Sequence, residues 1–195
     1  YLERPELAEL LAIKYGSARA LRRAVWNEML FRLRRTRGYR LVSANFEVTN
    51  ACNLHCTICP VNQGMKRPRR RQDLATLERF LEVNPELDFL LLFQWGEPLL
   101  VRELPEMIAA ASTRGIRTMI TTNGTLLDER WCHRLLDSGL TRLTMSVDGD
   151  AESHQRIRGV ALEPLRQNLL RLRHLRDERR SPLGIDVSMV ANRAT

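Results

Sequence analysis

Lysine is nearly missing from this chain: Lys14 and Lys66 are the only two among 195 residues. The net charge of +8 and the isoelectric point near 10.1 therefore come almost entirely from arginine, whose planar fork suits phosphate and carboxylate partners. Aromatic residues amount to 6%, and the basic run Lys66-Arg67-Pro68-Arg69-Arg70-Arg71 has none interleaved, which argues against base stacking on nucleic acid. No apolar run approaches the ~18 residues of a membrane span, and no signal-peptide pattern opens the chain. Cysteine is scarce at four. Three of the four are bunched, which excludes a disulfide framework and implies a reducing, cytoplasmic setting. With 44% hydrophobic residues the chain is not disordered and can bury the core of one ordinary domain.

The bunched cysteines are Cys52, Cys56 and Cys59, in the order Cys-x3-Cys-x2-Cys. Iron–sulfur clusters are normally held by four thiolates, so three leave one iron of a [4Fe-4S] cluster open to a ligand that is not protein. Short cysteine groups also bind zinc. A zinc or iron–sulfur module without catalysis is thus an alternative, with His55 or His133 completing its ligands. The fourth cysteine, Cys132, sits beside Trp131 in a helical pattern and reads as a small buried hydrophobe.

From Leu41 onward, short β-rich runs alternate with amphipathic stretches, the signature of βα units and a parallel sheet. Strands are expected at Ala44–Thr49, Phe89–Phe93, Arg117–Thr122, Arg142–Val147 and Ile185–Val190. Helices are expected near Asp73–Glu82, Leu104–Ser112, Asp128–Leu136 and Leu165–Arg179, with Gly115 and Gly139 ending two of them. Periodicity does not separate a barrel from an open doubly wound sheet. In either, the loops after the strands carry the chemistry.

Those loops hold recognisable runs. Cys52–Cys59 follow strand one; Gly96-Glu97-Pro98 follow strand two; Thr122-Asn123-Gly124 follow strand three; Ser146-Val147-Asp148-Gly149 and Ile157-Arg158-Gly159 follow strand four. Together they resemble the CxxxCxxC, GGEP, TNG, SxDG and IRG motifs of the radical S-adenosylmethionine (SAM) superfamily. Within it they are most similar to the SPASM or twitch type that matures molybdopterin, pyrroloquinoline quinone and sulfatases. The resemblance implies an α/β fold, a partial (β/α)6 barrel of which residues 41–195 supply about five βα units. It implies metal ligands Cys52, Cys56 and Cys59, and SAM contacts from Ile58, Gly96, Glu97, Thr122, Asn123, Ser146, Asp148 and Arg158, with helix capping the alternative role for Asp148. Glu97 would meet the SAM ammonium, and Ser146 and Arg158 its carboxylate. Trp95 stands where the family more often has glycine, and Ile58 where it more often has an aromatic. The implied activity is reductive cleavage of SAM to a 5′-deoxyadenosyl radical that abstracts a hydrogen from a peptide or small molecule. A flavodoxin- or ferredoxin-type donor would supply the electron. A sixth strand and any auxiliary-cluster domain are missing from the pattern, so the chain is expected to be a piece of a longer enzyme.

Residues 1–40 precede this pattern and read as a basic helical extension, Glu6–Tyr15 and Ala18–Arg35. In the second stretch Leu21, Val25 and Met29 share one face, with Leu30 and Leu33 adjoining it, expected to pack on the barrel while the arginines face water. That basic surface, and the loop Lys66–Arg71, would also accept an anionic substrate, RNA or a membrane surface. An arginine-rich RNA-binding protein is the third functional class, marked by steep salt dependence.

Overall fold

The computed structural model describes residues 18–190. It contains five parallel strands in the order β1 (Ser43–Asn45), β2 (Phe89–Leu91), β3 (Arg117–Thr122), β4 (Arg142–Ser146) and β5 (Gly184–Ser188). Each strand pairs with the next in sequence. A doubly wound sheet reverses direction from its first strand and has a switch point; five strands in unbroken order have none and make part of a barrel wall.

The helices follow from local chemistry. α1 covers Ala18–Arg32. α2 (Leu74–Val83) is capped by Asp73, whose side chain accepts from the Thr76 amide at 2.8 Å; hydrogen bonding from the Thr76 side chain and then its amide holds the Asp73 carboxyl below its ordinary range. α3 spans Leu104–Ser112, and α4 (Glu129–Asp137) is capped by Asp128 through the Trp131 amide. α5 (Ala151–Arg158) is capped by Asp150 and ended by Gly159 at φ +74°. α6 covers Leu162–Glu178. The core lies between sheet and helices, where Leu90, Leu92, Ile120 and Leu143 meet Leu77, Leu104, Met107, Ile108, Leu135 and Leu172.

Three expectations change. The helix Glu6–Tyr15 lies outside the described residues. Strands one and two are shorter than expected, although Phe46 still donates to the Leu91 carbonyl at 2.8 Å and Leu92 to that of Met119 at 2.9 Å. Most notably, α1 turns much of its expected packing face outward: Val25, Met29 and, just past its end, Leu33 are exposed, as is Trp26, while Leu30 is buried as expected and Leu21 half-buried. Its inner stripe is Ala20, Arg23, Asn27 and Leu30, spaced at helical intervals. Ala20 permits a close approach. Arg23 then pairs with Asp88 at 3.0 Å and donates to the Glu86 carbonyl, while Asn27 brackets the backbone of Arg40 with two hydrogen bonds. Polar bonds therefore orient this helix. Among the described residues, no helix is long and apolar enough to cross a membrane.

Candidate active site

The segment after β1 is stitched to a later stretch before it reaches the cysteines. Thr49 bridges antiparallel to Arg71, Gln72 donates to the Val48 carbonyl, and the Asn50 side chain bonds the Arg70 amide and the Pro68 carbonyl. The loop after β2 then closes onto it: the Glu97 amide donates to the Ala51 carbonyl at 2.8 Å. Gly96 makes this approach possible. At φ +95°, an added Cβ would lie 2.6 Å from both the Thr49 and Ala51 carbonyl oxygens.

These ties place one cavity of 390 Å³ at the C-terminal ends of the strands. Cys52, Cys56 and Cys59 line it together with Ile58, Gly96, Glu97, Thr122, Asn123, Ser146 and Arg158. All three cysteines are free thiols. Burial pushes the Cys52 and Cys56 thiols up; Glu97 adds repulsion at Cys52, and Arg158 partly offsets the rise at Cys56. Among the described residues, no three His, Cys, Asp or Glu side chains meet around a single ion-sized point. Thiols of an iron–sulfur site each take a different iron and stand apart around the cluster.

Glu97 is fully buried beneath this cavity. Its Oε1 accepts from the Thr122 hydroxyl at 2.7 Å and the Leu99 amide at 3.1 Å, and its Oε2 from the Asn123 amide at 2.8 Å. Desolvation drives its pKa upward against those bonds. All three donors are neutral, so among the described residues no cation bonds the carboxylate directly, the Arg158 charge acting on it only through space, and Oε2 keeps acceptor capacity.

Thr122 and Asn123 line the cavity, but their side chains are committed to the protein. Thr122 holds Glu97, while Asn123 donates to Asn53 at 2.9 Å and lies 3.8 Å from the Cys52 sulfur. Asp148, expected as a cofactor contact, does not line the cavity. It is fully buried, with Oδ2 on Arg158 Nε at 2.8 Å and Oδ1 on the Val190 amide at 3.0 Å. The sequence reading assigned no role to several lining residues: Leu54, Pro60, Phe93, Gln94 and Val190. Phe93, Gln94 and Val190 follow strand ends, a signal that position alone carries; none belongs to a motif.

The profile described as the Radical SAM superfamily matches residues 46–188, well over half of the chain. A PqqA peptide cyclase from Granulibacter bethesdensis is 37% identical over 119 residues, 59% of this chain and 31% of that protein. An AdoMet-dependent heme synthase from Nitratidesulfovibrio vulgaris is 31% identical over 134 residues, 68% and 36% respectively. The matches thus span about a third of these relatives' length. The structure of BtrN in complex with AdoMet and 2-DOIA aligns at a TM-score of 0.60 and 19% identity, covering 77% of this chain and 58% of BtrN. Streptococcus suis SuiB bound to precursor peptide SuiA also aligns at 0.60, with 19% identity, covering 76% and 33%.

Proposed function

Because this chain belongs to the radical SAM superfamily, we propose that its thiol-lined cavity holds a [4Fe-4S] cluster on Cys52, Cys56 and Cys59 with SAM on the open iron. The observation that carries the reading is the company those thiols keep: one cavity joins them to the guanidinium of Arg158 and to a buried carboxylate that, among the described residues, forms no ion pair. SAM carries an ammonium and a carboxylate that complement both. Held there, the cluster and SAM would supply radical chemistry able to take hydrogen from a C–H bond.

The protein's own residues bind, orient and shield. Glu97 receives the ammonium, which relieves the desolvation of its charge. Arg158 receives the carboxylate. Ser146 stands beside it at the end of β4, and Ile58 offers an apolar neighbour to the adenine. Asn123 directs an N–H toward the Cys52 sulfur, a contact of the kind that tunes cluster potential.

The proposed substrate is a peptide. Support comes from the cyclase relative, named for a peptide, and from SuiB, solved with its precursor peptide. We place the enzyme in the cytoplasm, where three clustered thiols stay reduced, and assign its electron to a flavodoxin- or ferredoxin-type carrier. Anaerobic reconstitution with iron and sulfide, followed by SAM and a strong reductant, is expected to release 5′-deoxyadenosine. Replacing any one of the three cysteines should abolish it. Release persisting in all three variants, or a preparation holding one zinc and neither iron nor sulfide, refutes the reading.

A further inference from the structure

We propose that Asp148 and His154 are positioning residues that set the guanidinium of Arg158 for a carboxylate in the cavity. The inference rests on the reading of this cavity as a SAM site and adds to it how the carboxylate end is held.

Arg158 is the last residue of α5. Its backbone is fixed from the cysteine side: the carbonyl of the preceding Ile157 accepts from the Thr57 amide at 2.8 Å, one residue after Cys56. Its side chain is fixed from the strand side, because Asp148 takes the Nε–H at 2.8 Å and leaves the two Nη groups to the cavity that Arg158 lines. Asp148 is itself locked. Its other oxygen accepts from the Val190 amide after β5, and its own amide donates to His154 Nδ1 at 3.2 Å. One carboxylate thereby joins the ends of β4 and β5 and the end of α5.

His154 explains why this is arrangement rather than filling. The ring is fully buried, yet its Nε2 finds no hydrogen-bond partner among the described residues. With Nδ1 accepting from Asp148, Nε2 carries the hydrogen, an arrangement costlier than an apolar side chain of equal size. A polar ring that makes a single bond, to the amide of Asp148, is placed to hold that amide.

The test uses anaerobically reconstituted enzyme without reductant, and equilibrium dialysis of two ligands: SAM and decarboxylated SAM, which keeps the sulfonium, adenosine and amine. Because the iron contact of the carboxylate is common to all variants, the change of this affinity ratio from wild type to variant reports what the protein contributes at the carboxylate end. Asp148→Asn is selective, since its amide oxygen can still accept from Val190 while its NH2 opposes Arg158 Nε. It is expected to lower the SAM preference by about tenfold or more, as does Arg158→Ala, and to leave decarboxylated SAM within about twofold of wild type. His154→Leu is expected to lower the same ratio, and His154→Asn, which can accept from the Asp148 amide, to restore most of it. The His154 pair carries the test if Asp148→Asn does not fold. An unchanged ratio in both Asp148→Asn and His154→Leu, or equal loss of both ligands, overturns the positioning role while Arg158→Ala still loses its preference. A wild-type ratio in Arg158→Ala removes the carboxylate from Arg158, and the proposal with it.

Discussion

Gly96→Ala probes the closest backbone approach in the site. The new methyl would meet the carbonyl oxygens of Thr49 and Ala51 at 2.6 Å and the Asn50 carbonyl carbon at 2.9 Å. None of these can swing away. Thr49 is bridged to Arg71, Asn50 holds Arg70 and Pro68, and the Ala51 carbonyl is bonded to the Glu97 amide. Gly115 separates the two costs that such a change combines. It has φ +71° and nothing within 4 Å of a built Cβ, so Gly115→Ala carries only the left-handed backbone penalty, about 1–2 kcal/mol. Gly96→Ala adds overpacking against fixed backbone, about 1–3 kcal/mol, for a total of about 2–5 kcal/mol. At about 2–4 °C per kcal/mol for a chain of this size, the melting temperature should fall about twice as far as in Gly115→Ala. Ala51 directly precedes Cys52, so iron bound per chain after reconstitution should fall in Gly96→Ala and hold in Gly115→Ala. Equal melting temperatures and full iron in both variants would refute the reasoning.

Further outcomes follow from other sites. Cys132 is fully buried, with its thiol pushed up to about 11 mainly by desolvation; in the folded wild type it should resist thiol reagents, and Cys132→Ala should keep full iron content while losing about 1–2 kcal/mol of stability as a small cavity opens. Burial lowers the His154 pKa and Arg158 adds to the fall. The unfolded chain therefore binds the proton more readily, and the associated stability is full above the ordinary histidine pKa and is lost as pH falls toward the depressed value. Melting between pH 7.5 and 5 should drop further in wild type than in His154→Leu, and identical drops would contradict this. Lys66, Arg69, Arg70 and Arg71 are exposed, with no side-chain partner among the described residues. Reversing the three arginines to glutamate should slow cluster reduction by acidic flavodoxin at least tenfold at low salt while leaving reduction by dithionite unchanged. Equal rates with flavodoxin would remove this strap from the donor's path.

Where hydrophobic period and turn chemistry agreed, the sequence was read to the residue: Leu104–Ser112 and Arg117–Thr122 match their expected bounds. α5 went unseen for an equally physical reason. Ala151-Glu-Ser-His-Gln-Arg-Ile-Arg158 offers one large apolar side chain, so no amphipathic period exists to detect. Its signals were the caps, Asp150 before it and Gly159 after it. In α1 the period was present and misled, because Arg23 and Asn27 find a carboxylate and backbone groups on the inner side that no pattern of apolar residues announces. In the site, the motifs located the cavity wall but not the division of labour within it. Which oxygens of Glu97 and Asp148 are already bonded depends on contacts between distant segments.

The seams around the cysteine loop also set an order of assembly. Thr57 is bonded to Ile157, a hundred residues later, and Asn123 to Asn53 across seventy. Such long closures are late events in folding. During synthesis at about 5–20 residues per second, the three thiols leave the ribosome about 5–20 seconds before the helix that steadies them. Through that interval they belong to an unfinished loop, exposed to stray metal and oxidant. The loop that carries the thiols takes its final shape only when α5 closes against Thr57.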